Sequence, residues 1–138
     1  MRGIVILALS SCLEPTEIHL SITTDVPCSK VRRTEIFFDT ISTPIATTNA
    51  CTTNRIGDFV LVPSNNGSGG IVIVKMELDT GSCDVAPPVN CIVARRQLRF
   101  VAHTTLAVPI ELDQGCVDLV CPATQTCSHG LCVNSEIK

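Results

Sequence analysis

Ile71-Val72-Ile73-Val74-Lys75-Met76-Glu77-Leu78 is the most apolar run of the chain beyond its first residues, and its reading decides the fold. A membrane span needs about 18 or more apolar residues, and this run is shorter and carries Lys75 and Glu77. Its β-branched content and its alternation make it a strand, with Val72, Val74, Met76 and Leu78 on the face that stays apolar throughout. A strand so apolar belongs at the centre of a sheet. Just before it, Asp58 to Val62 is a short strand stopped by Pro63. Between the two, Ser64-Asn65-Asn66-Gly67-Ser68-Gly69-Gly70 carries the Asn-Gly and Gly-Gly signals of a flexible hairpin loop. Asn66-Gly67-Ser68 also fits a glycosylation sequon, but the turn reading is preferred.

Further from the centre the same period recurs. Glu17 to Thr23 alternates, with Ile18, Leu20 and Ile22 inward. Thr34 to Thr40 places Ile36 and Phe38 inward and Glu35, Phe37 and Asp39 outward. Residues Ile41 to Asn54 are rich in Thr, Ser and Asn and form a long connection or a weak edge strand. Asp79 to Asn90, with Gly81, Pro87 and Pro88, is a loop. Ile92 to His103 is the longest β-like run, and Thr104 to Leu112 follows with Leu106, Val108, Ile110 and Leu112 inward. Pro109 has no N–H for a ladder, so that last strand lies at an edge or carries a bulge there. Helical periodicity of useful length is absent. Six to seven strands joined by turn-rich loops predict an all-β chain, an immunoglobulin-like β-sandwich followed by a small disulfide-rich C-terminal module.

The chain has 138 residues, a size suited to one domain with a modest core. Trp and Tyr are missing and Phe37, Phe38, Phe59 and Phe100 are the only aromatics, so Val, Ile and Leu must build that core. The formal net charge of −3 speaks for neither a nucleic-acid partner nor strong attraction to an anionic membrane.

Location is read from Leu9-Ser10-Ser11-Cys12. Arg2 gives a positive start, Ile4 to Leu9 is almost wholly apolar, and two small residues precede a cysteine, as at the end of a bacterial lipoprotein signal. The expected organisation is a signal peptide over 1–11, a lipidated tether over 12–16 anchored to the membrane through Cys12, a β-sandwich over 17–113 and a Cys-rich tail over 114–138. Leu13 after the lipidated position, rather than Asp, suggests the outer membrane. Nine cysteines would be an awkward odd number in an oxidising compartment. With Cys12 carrying lipid, eight remain for disulfides. Cys28 and Cys51 sit in loops beside the same strand and are expected to pair. Cys83 and Cys91 close a small loop, worth roughly 2–3 kcal/mol in chain entropy.

Cys116, Cys121, Cys127 and Cys132 crowd a short tail with almost no apolar core of its own, so covalent links must order it. Interleaved pairing, Cys116 with Cys127 and Cys121 with Cys132, would give a knot that resembles a truncated EGF-like module; sequential pairing is the alternative. Zinc is the competing reading, with His129 as an added ligand. The ligand spacing sits at the permissive edge for a structural zinc site and the leader argues for oxidation, so no metal or other cofactor is assigned.

The segment Cys91-Ile92-Val93-Ala94-Arg95-Arg96-Gln97-Leu98-Arg99-Phe100-Val101-Ala102-His103-Thr104, the Leu106 to Ile110 stretch and the Cys116 to Cys132 tail together resemble a group of uncharacterised myxobacterial Cys-rich envelope lipoproteins. The resemblance spans most of residues 9 to 134 and implies a cell-envelope setting. It brings no catalytic residues with it.

His19, His103 and His129 are isolated along the chain, and no nucleophile elbow, zinc helix, phosphate loop, dinucleotide fingerprint or Cys-x-x-Cys occurs, so an enzyme is not expected. Arg95, Gln97, Arg99 and His103 alternate onto one face and form a candidate binding strip for an acidic partner, an envelope polysaccharide or a protein. A solvated sheet face with its arginines matched to acids is the simpler account. Arg96 is aimed by alternation at the core side, where it needs a sheet end, an acid or a bulge. Two functions follow as expectations: display of the sandwich for adhesion or for protein or glycan binding, or service as a structural or accessory subunit of an envelope or secreted complex.

Overall fold

A computed structural model describes residues 13–39, 42–64 and 67–136. The lipobox with Cys12, and Asn65-Asn66, therefore lie outside the described residues. Nine strands are described among these: β1 (Glu17–Thr24), β2 (Val31–Phe38), β3 (Ala46–Thr48), β4 (Arg55–Leu61), β5 (Gly69–Ser82), β6 (Val89–Arg99), β7 (Thr105–Leu112), β8 (Gln125–Ser128) and β9 (Leu131–Asn134). They make one sheet of order β4-β1-β7, a second of order β3-β2-β5-β6, and a β8-β9 ribbon. The described residues form an all-β sandwich of seven strands followed by a small disulfide-rich module.

β5 is an inner strand of the larger sheet, as its composition requires. Val72, Val74 and Met76 lie fully buried beneath it, opposite Ile18, Leu20 and Ile22 of β1 and Ile110 of β7. β1 runs antiparallel to β4 but parallel to β7, in register from Glu17 beside Thr105 to Thr24 beside Leu112. β7 is an edge strand with Pro109 exposed, where its missing N–H leaves no ladder bond broken.

Thr34 of β2 faces this core at 0% exposure, and its hydroxyl oxygen has no hydrogen-bond partner among the described residues. A buried orphan hydroxyl costs free energy that a methyl of the same shape does not. Thr34→Val is expected to raise stability by about 1 kcal/mol in urea unfolding, and an unchanged or lower midpoint would contradict this account.

Two expectations about the strands are corrected. The Ser64 to Gly70 stretch does not close a hairpin: β4 pairs with β1 and β5 with β2 and β6, so the loop carries the chain from one sheet to the other. Gly69 is needed where it lands, because a Cβ there would meet Leu98 O at 2.2 Å. The long run to His103 ends at Arg99, because the chain must turn out of the four-stranded sheet to lie beside β1. In that turn Thr104 N–H donates to Val101 O, and His103 adopts φ 54°. Phe37 points outward as expected yet is only 3% exposed, covered in part by Lys75, whose ammonium lies 5.0 Å from the ring centroid.

The disulfides join Cys28 to Cys51, Cys83 to Cys91, Cys116 to Cys127 and Cys121 to Cys132. The tail pairs are interleaved. Cys116, Cys121 and Cys127 are buried in the same apolar cluster as the sandwich core, so the tail folds as an extension of it.

Candidate functional site

Strand register lays out the outer face of the larger sheet. Across β2, β5 and β6 the successive rows are Phe37, Ile73 and Arg95; then Glu35, Lys75 and Val93; then Arg33, Glu77 and Cys91. β6 is the last strand of that sheet, and its open edge is closed by the tail. Asp118 N–H donates to Cys91 O at 2.8 Å and Asp118 Oδ1 accepts from Cys91 N–H at 3.1 Å. Further along, Arg95 N–H donates to Thr126 Oγ1 at 2.9 Å and Gln97 N–H to Ser135 O at 2.9 Å. A strand edge that would otherwise invite another chain is thereby covered.

The tail divides the anticipated strip. Arg95 lies half-buried beneath it, with only the Cys121 and Gln125 carbonyls near Nη1, each at 3.4 Å. Its removal from water holds its pKa below the usual arginine value. Gln97 and Arg99 line a different hollow of about 440 Å³, at the end of the sandwich where Ser68, Gly69 and Glu136 also meet it, floored by Ile18, Leu98 and Val108. His103 belongs to neither. Its backbone N–H donates to Thr16 Oγ1 at 2.8 Å in the turn beyond β6. The four residues thus do not form one surface.

Arg95 instead shares a smaller cup of about 190 Å³ with Lys75 and Val93, walled by Leu119, Val120 and Cys121 of the tail and by Pro88 and the Cys83–Cys91 bridge. The acids beside it are committed elsewhere. Glu77, 2% exposed, accepts from Arg33 Nε at 2.9 Å, Arg33 Nη2 at 2.6 Å and Cys83 N–H at 3.0 Å, with Arg32 Nη2 at 3.3 Å. Burial pushes the Glu77 carboxyl upward, but the Cys83 N–H and the two arginines outweigh it and hold the group below its ordinary value. Glu35 lies 3.3 Å from the same Arg33. Among the described residues no carboxylate comes within ion-pair distance of Lys75 or Arg95.

Arg96 is half-buried on the core side. Burial lowers its pKa, and the negative charge of Asp113 partly offsets that; its Nη1 donates to Arg95 O at 2.8 Å. Asp113 also joins a cluster that spacing along the chain could not reveal: Glu111, Asp113 and His129 bring donor atoms within 4.8 Å of one another. Two carboxylates and an imidazole are a donor set that divalent cations accept. Asp113, 5% exposed, already receives the His129 N–H at 2.8 Å and faces Arg96. Hydrogen bonding to Asp113, then its charge, raises the Glu111 carboxyl. The cluster reads as the joint where the tip of the β8-β9 ribbon seats on the end of β7.

Comparison with protein-family models, curated proteins and solved structures returns no match.

Proposed function

We propose that this protein is a lipid-anchored cell-envelope protein, acylated at Cys12 and held at the outer membrane, whose β-sandwich is displayed for binding a protein or a glycan. Four disulfides suit an oxidising, extracytoplasmic setting. Among the described residues no helix is long and apolar enough to cross a membrane.

The observation that carries display is where the tether leaves. The residues after Cys12 dock against the β6–β7 turn, with Thr105 N–H donating to Glu14 Oε2 at 3.4 Å and Thr105 Oγ1 to Pro15 O at 3.4 Å. The cup borders the Cys83–Pro88 loop at the opposite end of β6. An anchor at Cys12 would hold one end of the sandwich at the bilayer and turn the cup away from it.

The intact mass of the protein produced with its own leader in a bacterial host tests this reading. A diacyl or triacyl increment on Cys12 is expected, with eight thiols alkylated only after reduction. A retained leader with free thiols would overturn it. Stable co-purification with an envelope assembly would shift the reading to a structural or accessory subunit.

A further inference from the structure

We propose that the cup between β5, β6 and the tail is a subsite for an acidic sugar, with the carboxylate of a uronate received by Arg95 and drawn in by Lys75. The proposal deepens the binding role above and rests on it, though not on acylation at Cys12.

Charge on this face is unevenly matched. Glu35 and Glu77 are taken up by Arg32 and Arg33, whereas Lys75 and Arg95 have no carboxylate within ion-pair distance among the described residues. Arg95 is the more exacting of the two. It is half-buried, and its two nearest acceptors are neutral carbonyls at 3.4 Å, long for hydrogen bonds. A guanidinium withdrawn from water without a counter-charge is costly, and an anion entering the cup would relieve it. Lys75 stands at the rim with its ammonium over Phe37, on a stem long enough to turn toward a ligand.

The walls narrow the class of anion. Val93, Leu119, Val120 and Pro88 offer apolar contact to the C–H face of a ring and nothing to a bare inorganic ion. No aromatic side chain lines the cup among the described residues, so a neutral sugar finds no ring to stack on. A peptide captured by strand addition needs a free edge, and the tail occupies that of β6.

The test is a titration of the full disulfide-bonded protein with D-glucuronate and with a short polygalacturonate, followed through the amide NMR signals of Val93, Arg95 and Leu119. Saturable shifts are expected with both, and none with glucose. Arg95→Gln should weaken binding roughly tenfold to a hundredfold, as loss of a hydrogen bond to a charged group does. Arg95→Lys should weaken it less. Lys75→Met lies away from the tail's hydrogen bonds and should weaken it a few-fold with the fold intact, as elevated salt should for a pair partly open to solvent. Absence of binding, equal binding of glucose, sulfate bound as tightly as the uronates, or affinity unchanged in both the Arg95→Gln and Lys75→Met variants would each overturn the proposal. The mass measurement at Cys12 does not depend on this outcome, so the anchor and the subsite fail separately.

Discussion

Glu77→Ala is expected to destabilise the protein by about 3 kcal/mol, lowering Tm by roughly 10 °C. The side chain is nearly sealed from water, yet it is the shared acceptor of Arg33 and of the Cys83 backbone and stands beside Arg32. Removing it leaves the Cys83 N–H without its acceptor and Arg33 with only Glu35, at 3.3 Å, while Arg32 keeps the Gly81 carbonyl but loses its nearby counter-charge. The arginine side chains are 48% and 43% exposed, so solvent screens part of that loss and the cost falls at the low end for a broken buried pair. Glu77→Gln keeps an acceptor for Cys83 N–H and should cost about half as much. The pH dependence follows from the direction of the shift. With the carboxyl held below its unfolded value, its contribution is present above the ordinary carboxylate range and is lost as pH falls through the folded pKa. The stability gap between wild type and Glu77→Gln should therefore be full at pH 7 and narrow on acidification below about pH 4. A gap that stays constant down to pH 2 would sink the assignment.

The second large effect concerns the tail. Replacing Cys121 and Cys132 together by alanine removes a cross-link spanning 11 residues, worth about 3 kcal/mol by loop-closure entropy. The loss should be local before it is global, because β8 and the segment after β9 hold this part of the β6 edge through a few hydrogen bonds. Amide exchange at Arg95 and Gln97 is expected to accelerate by at least tenfold, while core amides of Leu20 and Val74 change little. The uncovered edge should also promote concentration-dependent association. Unaltered exchange at both edge amides would show that the tail seats without its second bridge.

Much of the fold is legible one strand at a time. The alternation at Ile18, Leu20 and Ile22, and at Val72, Val74, Met76 and Leu78, names the buried face correctly because side chains on a strand alternate strictly between two faces. Pro109 marks an edge because it cannot donate. The cysteine partners agree with the loops that bring them together and, in the tail, with the interleaved alternative. The site was less accessible to such reading. Arg95, Gln97, Arg99 and His103 share a parity that means a common face only while the strand lasts, and it ends at Arg99. Lys75 enters the cup from another strand, Leu119 and Val120 from the tail, and no local pattern links them.

The sequence by itself determined the all-β class, the inward residues of each main strand and the need for covalent order in the tail, since period, composition and cysteine density are local properties. Only the tertiary structure decided that β7 lies parallel to β1, that the Ser64 to Gly70 loop crosses between sheets, and that the tail closes β6 and places Arg95 in a cup that no acid lines among the described residues. Those outcomes depend on which edges find each other across the whole chain. A side-chain period of two carries no information about that choice.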